Sequence, residues 1–304
     1  MFARLFKPTS LKPVFRTNTL QVIPRLRFLS AMTSPPQLDT VKIDVDSDAI
    51  AIITYNRPKN ANALNTTILK DVLAAWKWAE STSSIRIILT TGAGKFYTAG
   101  LDLLDPINQD TTTGATINKE FITAISAIHE AIIKTDKIVI SAVNGPAPGW
   151  GTSSIALSDL VYAVPSAIFF TPFVQWGLCA EGCSSLTFTR AMGRQKASAL
   201  ILAGQRMTAA ELESAGLVTR VLEAEGFLEQ VLGIARGMVK LPAKSLKANK
   251  ALLMNGGLRD ELLETNRKEM ELLATQAGGE ESKGAIKGFK EETERKKKEK
   301  ASKL

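Results

Sequence analysis

Two apolar runs that each break into a glycine-bearing loop constrain this chain most. The first, IRIILTTG at residues 85–92, runs on into AGKFYTAGLDLLD. The second, KIVISAVNG at residues 137–145, runs on into PAPGWGTSS. Continuous apolar runs rich in β-branched residues are strands covered on both faces, as in a parallel sheet. Between them, residues 114–134 repeat apolar positions at helical spacing, which supplies the crossover that parallel strands need. The pair therefore commits the chain to an α/β core with two glycine loops at its strand ends.

The remaining segments extend this pattern. VKIDVDSDAIAIITYNRP alternates apolar and polar residues around an Asp/Ser turn, a β-hairpin ended by Pro58. Asn65 is placed to cap a helix reaching about Ser81, with Leu69, Val72, Leu73, Trp76 and Ala79 on its buried side. A short helix is expected from Trp150 to Ser158, followed by one strand over LVYAVPSAIFF. From Gly182 onward the pattern is helical, broken near Gly193, Gly204, Gly216, Gly226, Pro242 and Gly256-Gly257. The expected organisation is an extension over 1–37, a catalytic core over 38–240, a helical region over 241–290 and a charged tail over 291–304.

The net charge of +8 belongs to the ends. Residues 1–32 hold six basic residues and no acid, and residues 283–303 hold nine basic against four acidic. The body between them is slightly acidic, which argues against a nucleic-acid partner. No apolar run approaches the roughly 18 residues needed to span a bilayer. Two cysteines, Cys179 and Cys183, are too few for a disulfide framework or a zinc site. Residues 1–32 read as a mitochondrial transit peptide or a disordered extension. Ser302-Lys303-Leu304 reads as a peroxisomal import signal, recognised by the import receptor.

The first glycine loop does not suit a phosphate. GAGK lacks the first glycine and the Ser/Thr of a P-loop, and the run from Gly92 to Tyr97 lacks the third glycine of a dinucleotide loop. Main-chain amides from two strand ends can instead converge on one oxygen. Such an oxyanion hole is worth about 3 kcal/mol of barrier per donor.

TAGLDLLD and AVNGPAPGWG, followed by SDLVYA, resemble the two signature segments of the crotonase (enoyl-CoA hydratase/isomerase) superfamily, and NRPKNANALN resembles its CoA-binding loop. The resemblance implies an α/β fold with a ββα spiral core and a C-terminal helical trimerisation region, assembling as a trimer or hexamer. It implies an acyl-CoA thioester substrate, with coenzyme A part of that substrate and no separate cofactor or metal. It assigns the oxyanion donors to the backbone N–H groups of Leu101 and Trp150. Around them it places substrate-binding positions at Lys59, Ala61, Ala63, Thr98, Ala99, Gly100, Leu101, Asp102, Gly149 and Phe173. The Trp150 side chain, where the family keeps a small residue, is expected to narrow or redirect the acyl groove.

The family's hydratases use two glutamates, and the matching positions here are Ser153 and Phe173. GLCAEGCSS closely resembles the segment of peroxisomal Δ3,Δ2-enoyl-CoA isomerases that carries their catalytic base, which becomes Glu181. The reaction so implied moves a double bond from the 3- to the 2-position of an enoyl-CoA in the breakdown of unsaturated fatty acids, in the peroxisome. Burial beside Phe173, Trp176 and Leu178 should raise the pKa of Glu181, while the helix start at Gly182 should lower it. His129, the only histidine, reads as a packing or surface residue rather than a base, and Cys183 as a small buried residue. Lys59 is a candidate for CoA phosphates. Two rivals stand beside this reading: a crotonase for a specialised acyl-CoA, and a non-catalytic acyl-CoA- or RNA-binding protein of the same fold.

Overall fold

The computed structural model describes residues 34–301, so the expectations for residues 1–32 and for Ser302-Lys303-Leu304 lie outside the described residues. The hairpin forms from β1 (Val41–Asp46) and β2 (Ile50–Tyr55), closed by a turn in which Ser47 and Asp48 both take positive φ. That primed turn matches the twist of the two strands and sets Asp46 opposite Ile50. Asn65 then caps α1 (Thr66–Ser81), its side chain accepting from the Ile68 amide at 3.0 Å. Of the expected buried face, Leu69, Val72, Trp76 and Ala79 are buried and Leu73 partly so.

β3 (Ile87–Gly92) pairs parallel to β2, and α2 (Lys119–Lys134) crosses over to β4 (Ile138–Val143), parallel to β3 and buried along its length. The expected helix over 114–134 starts later than its apolar period suggests. Asn118 accepts from the Phe121 amide and caps it there. A six-residue α3 (Trp150–Ile155) follows, then β5 (Leu160–Ala163) and β6 (Ile168–Phe169). The single strand expected over LVYAVPSAIFF is thus two, because Pro165 and Ser166 sit in a turn closed by Ala167 N–H to the Val164 carbonyl. Proline inside a strand run removes a ladder donor and marks such a break.

The C-terminal part is not purely helical. After α4 (Ser184–Ile201), the two-residue β7 (Met207–Thr208) pairs with β6. After α5 (Ala209–Ala215), the equally short β8 (Arg220–Val221) adds to β5. The main sheet therefore runs β1-β2-β3-β4-β5-β8, antiparallel only at β1–β2. Four helices complete the described residues: α6 (Phe227–Val239), α7 (Ala243–Leu253), α8 (Leu258–Ala277) and α9 (Glu280–Ala301). α1 packs against α2 and the first two strands, and α2 packs against α8. Among the described residues no helix is long and apolar enough to cross a membrane.

Candidate active site

The two glycine loops meet. Leu64, just before α1, bridges to the first loop: its N–H donates to the Gly100 carbonyl at 2.7 Å and its carbonyl accepts from Asp102 N–H at 2.9 Å. In an extended strand the intervening residue faces the other way. The Leu101 N–H accordingly has no acceptor among the described residues. In the second loop Gly149 (φ +58) turns the chain into α3, and its own N–H is taken by the Phe170 carbonyl at 2.8 Å. The next amide, that of Trp150, also has no acceptor among the described residues. Gly100 (φ +72) brings the turns together, since a Cβ placed on it would lie 2.8 Å from the Pro148 carbonyl oxygen.

Leu101, Gly149 and Trp150 line a cavity of about 470 Å³ together with Glu181. Ala63, Ala99, Asp102 and Phe173 are in its wall as well, while Lys59, Ala61, Thr98 and Gly100 are not. Lys59 is exposed on the turn before α1. Thr98 lies behind the first loop, where its hydroxyl donates to the Asn62 carbonyl and accepts from Gly100 N–H. The Ala61 carbonyl accepts from Ala99 N–H in the same support. Asp102 is held by Arg57 at 3.4 Å, and Arg57 also donates to the Ala63 carbonyl, tying the first glycine loop to the segment before α1.

Glu181 is 6% exposed. Its Oε1 accepts a short hydrogen bond from the Ser153 hydroxyl, and its Oε2 has no hydrogen-bond partner. Burial pushes its carboxyl up to about 8; the Ser153 bond works against that shift and the charge of Glu269 adds to it. The opposing pull expected from the following helix start is weak for a visible reason. Glu269 of α8 takes the amides there, accepting from Cys183 N–H at 2.7 Å, Ser185 N–H at 3.0 Å and the Ser185 hydroxyl at 2.6 Å.

His129 is fully buried rather than at the surface, and 3.5 Å separate its Nε2 from Glu181 Oε2. The contact is not an ion pair. Nε2 accepts from the Trp150 indole N–H at 2.9 Å, which requires it to carry no proton, so Nδ1 donates to Asn266 Oδ1 at 2.8 Å. Burial lowers the imidazole pKa to about 4, in agreement with the neutral ring. With its free lone pair already engaged, His129 is a poor base. It serves instead to hold the Trp150 ring, which stacks on it and meets Tyr55 edge-on in the core. The expected narrowing of the groove by Trp150 is therefore limited, because the ring is turned into the interior and is 4% exposed.

Sequence reasoning did not find the Ser153, His129, Asn266 and Glu269 partners. Only Ser153 carried a usable signal: it occupies the position of a hydratase glutamate, and it lies buried against Glu181.

Comparison with known proteins finds relatives of the chain as a whole. The family model for enoyl-CoA hydratase/isomerase matches residues 46–300. Human enoyl-CoA delta isomerase 2 is 32% identical over 249 residues, 80% of this chain and 61% of the human protein. Mouse peroxisomal enoyl-CoA delta isomerase 3 is 32% identical over 80% of this chain and 75% of its own length. A crystal structure of an enoyl-CoA hydratase/isomerase from Pseudoalteromonas atlantica superposes with a TM-score of 0.75 at 32% identity, covering 84% of this chain and 98% of the bacterial one.

Proposed function

The chain belongs to the enoyl-CoA hydratase/isomerase family, and on that premise we propose that it converts 3-enoyl-CoA thioesters to 2-trans-enoyl-CoA by carrying one proton from C2 to C4. One observation supports this most: a buried carboxyl with a free oxygen shares an apolar cavity with two free main-chain amides. The C2 proton of such a substrate is acidified by the thioester on one side and the alkene on the other. Glu181 Oε2 accepts it, and the electron pair of the broken C2–H bond spreads over a dienolate. The Leu101 and Trp150 amides donate to the thioester oxygen as negative charge builds there. The C3=C4 pair then takes the proton back from the carboxylic acid at C4, the C1=C2 pair of the dienolate becomes C2=C3, and the thioester carbonyl re-forms.

One carboxyl suffices because C2 and C4 lie on the same side of a flat intermediate. Adding water needs a second acid–base group, and the hydratase positions hold Ser153 and Phe173. Asp102 is engaged by Arg57, His129 by Trp150, and burial keeps the Cys179 thiol protonated, which leaves Glu181 as the group free to move a proton. The reaction as drawn calls on no metal or redox cofactor, with coenzyme A entering as part of the substrate. The chain spans about three-fifths of the human relative's length, so the reading concerns the part they share. The peroxisomal mouse relative supports a peroxisomal site of action.

The test is conversion of trans-3-hexenoyl-CoA to its conjugated isomer, followed by ultraviolet absorbance, beside water addition to a 2-enoyl-CoA. Isomerisation without hydration is expected, whereas hydration alone would overturn the proposal.

The buried carboxyl also sets a pH profile. A base must be ionised to act, so kcat/KM should rise with pH and level off above about 8. Ser153→Ala removes a bond that favours the ionised form. Its inflection should move to higher pH and its kcat/KM at pH 7 fall about tenfold. A profile that is flat from pH 6 to 9 in both proteins would remove Glu181 from the role of base.

A further inference from the structure

We infer that Glu269, on α8, is a positioning residue for the Glu181 carboxyl: it fills the anion-binding turn at the start of α4, keeping Glu181 out of that turn and one Glu181 oxygen free for substrate. The inference rests on Glu181 being the proton carrier and identifies what keeps it available. Gly182 and Cys183 both take left-handed conformations, with φ +66 and +59. Left-handed Cys183 followed by the right-handed start of α4 at Ser184 aims successive N–H groups at one point, a nest suited to a carboxylate or phosphate. The left-handed Cys183 costs the fold about 1–2 kcal/mol. The buried Glu269 occupies it with three hydrogen bonds, from Cys183 N–H, Ser185 N–H and the Ser185 hydroxyl.

Glu181 immediately precedes this turn, and an empty nest would offer its carboxylate several amide donors. With Glu269 in place, Glu181 keeps a single donor, Ser153, on one oxygen. The charge of Glu269 also disfavours ionisation of its neighbour. The other groups facing Glu181 do not offset this. From α2 comes the neutral His129, and from its own segment come Cys179 and Cys183, whose thiols burial keeps protonated.

A residue that merely caps α4 would change melting and leave the titration of Glu181 alone, which separates the two roles. The C=O stretch of protonated Glu181, identified as the infrared band lost in Glu181→Gln, is to be titrated in the wild type and in Glu269→Gln. The midpoint should fall by about 0.5 pH unit or more in Glu269→Gln, roughly a threefold change in the ratio of ionised to protonated carboxyl at fixed pH. The inflection in kcat/KM should move the same way. An unchanged midpoint in a folded Glu269→Gln protein overturns the inference. Where that variant does not fold, Glu181→Gln decides. Its loss of the protonated-carboxyl band at pH 7 supports an ionised Glu269, and persistence of the band puts the proton on Glu269 and overturns the inference. The infrared readout needs no turnover, so a protein inactive on 3-enoyl-CoA would defeat the isomerase reading without deciding this one.

Discussion

Glu181→Gln is expected to lower kcat for 3-enoyl-CoA isomerisation about 10³-fold, with KM and CoA-ester affinity nearly unchanged. The substitution keeps the shape of the side chain and can still accept from Ser153, but it cannot take a proton. Removal of a positioned acid–base group costs about 10²- to 10⁴-fold in general. The upper half of that range applies because the other titratable candidates are engaged: Asp102 with Arg57, and the Nε2 of His129 with the Trp150 indole. Steady-state kinetics on trans-3-hexenoyl-CoA checks this. A variant within tenfold of wild type would move the base elsewhere in the cavity.

The second large effect concerns the turns. In Gly100→Ala the new Cβ would sit 2.8 Å from the Pro148 carbonyl oxygen, a main-chain atom, so the two loops must part. The Leu101 and Trp150 amides then no longer converge. Loss of one oxyanion donor costs about 10²- to 10³-fold in kcat, and a loss of about 10²-fold is expected here. Backbone strain at φ +72 adds about 1–2 kcal/mol of destabilisation, or several degrees in Tm. Gly226→Ala provides the control, because Gly226 has a similar φ of +62 and open space around it. It should melt lower and turn over normally. Gly100→Ala with full kcat and a lowered Tm would reduce the paired turns to architecture.

The sequence carried these features unevenly, for physical reasons. The hairpin, the Asn65-capped helix and the two central strands were legible because each is a local pattern: alternation, a capping side chain or an unbroken apolar run. Glu181 and the two amides were legible through motifs that meet beyond the carboxyl ends of the central strands β3 and β4. β7 and β8 were not, since two residues carry no period. The break at Pro165 had a signal that the surrounding apolar run masked. Glu269 lies 86 residues from the amide it binds, on a helix whose surface pattern is that of any charged helix. His129 sits on an apolar face, and periodicity alone cannot distinguish a packed ring from one wedged between an indole and an amide.

Burying Glu181 has a thermal consequence. In the unfolded chain its carboxyl ionises near the ordinary value of 4.5, and in the folded protein near 8. Below the first value both states hold the proton. Between the two, each unit of rising pH favours unfolding by about 1.4 kcal/mol, and above the second the loss is complete. Glu181→Gln abolishes this drain, so its Tm should pull ahead of wild type as the pH climbs from 5 to 8 and keep a constant lead beyond. Parallel melting curves for the two proteins across that interval would mean that the acid is no burden on the folded state. A widening gap would identify the proton carrier as a weak point of the scaffold in alkaline surroundings, retained at the expense of heat resistance.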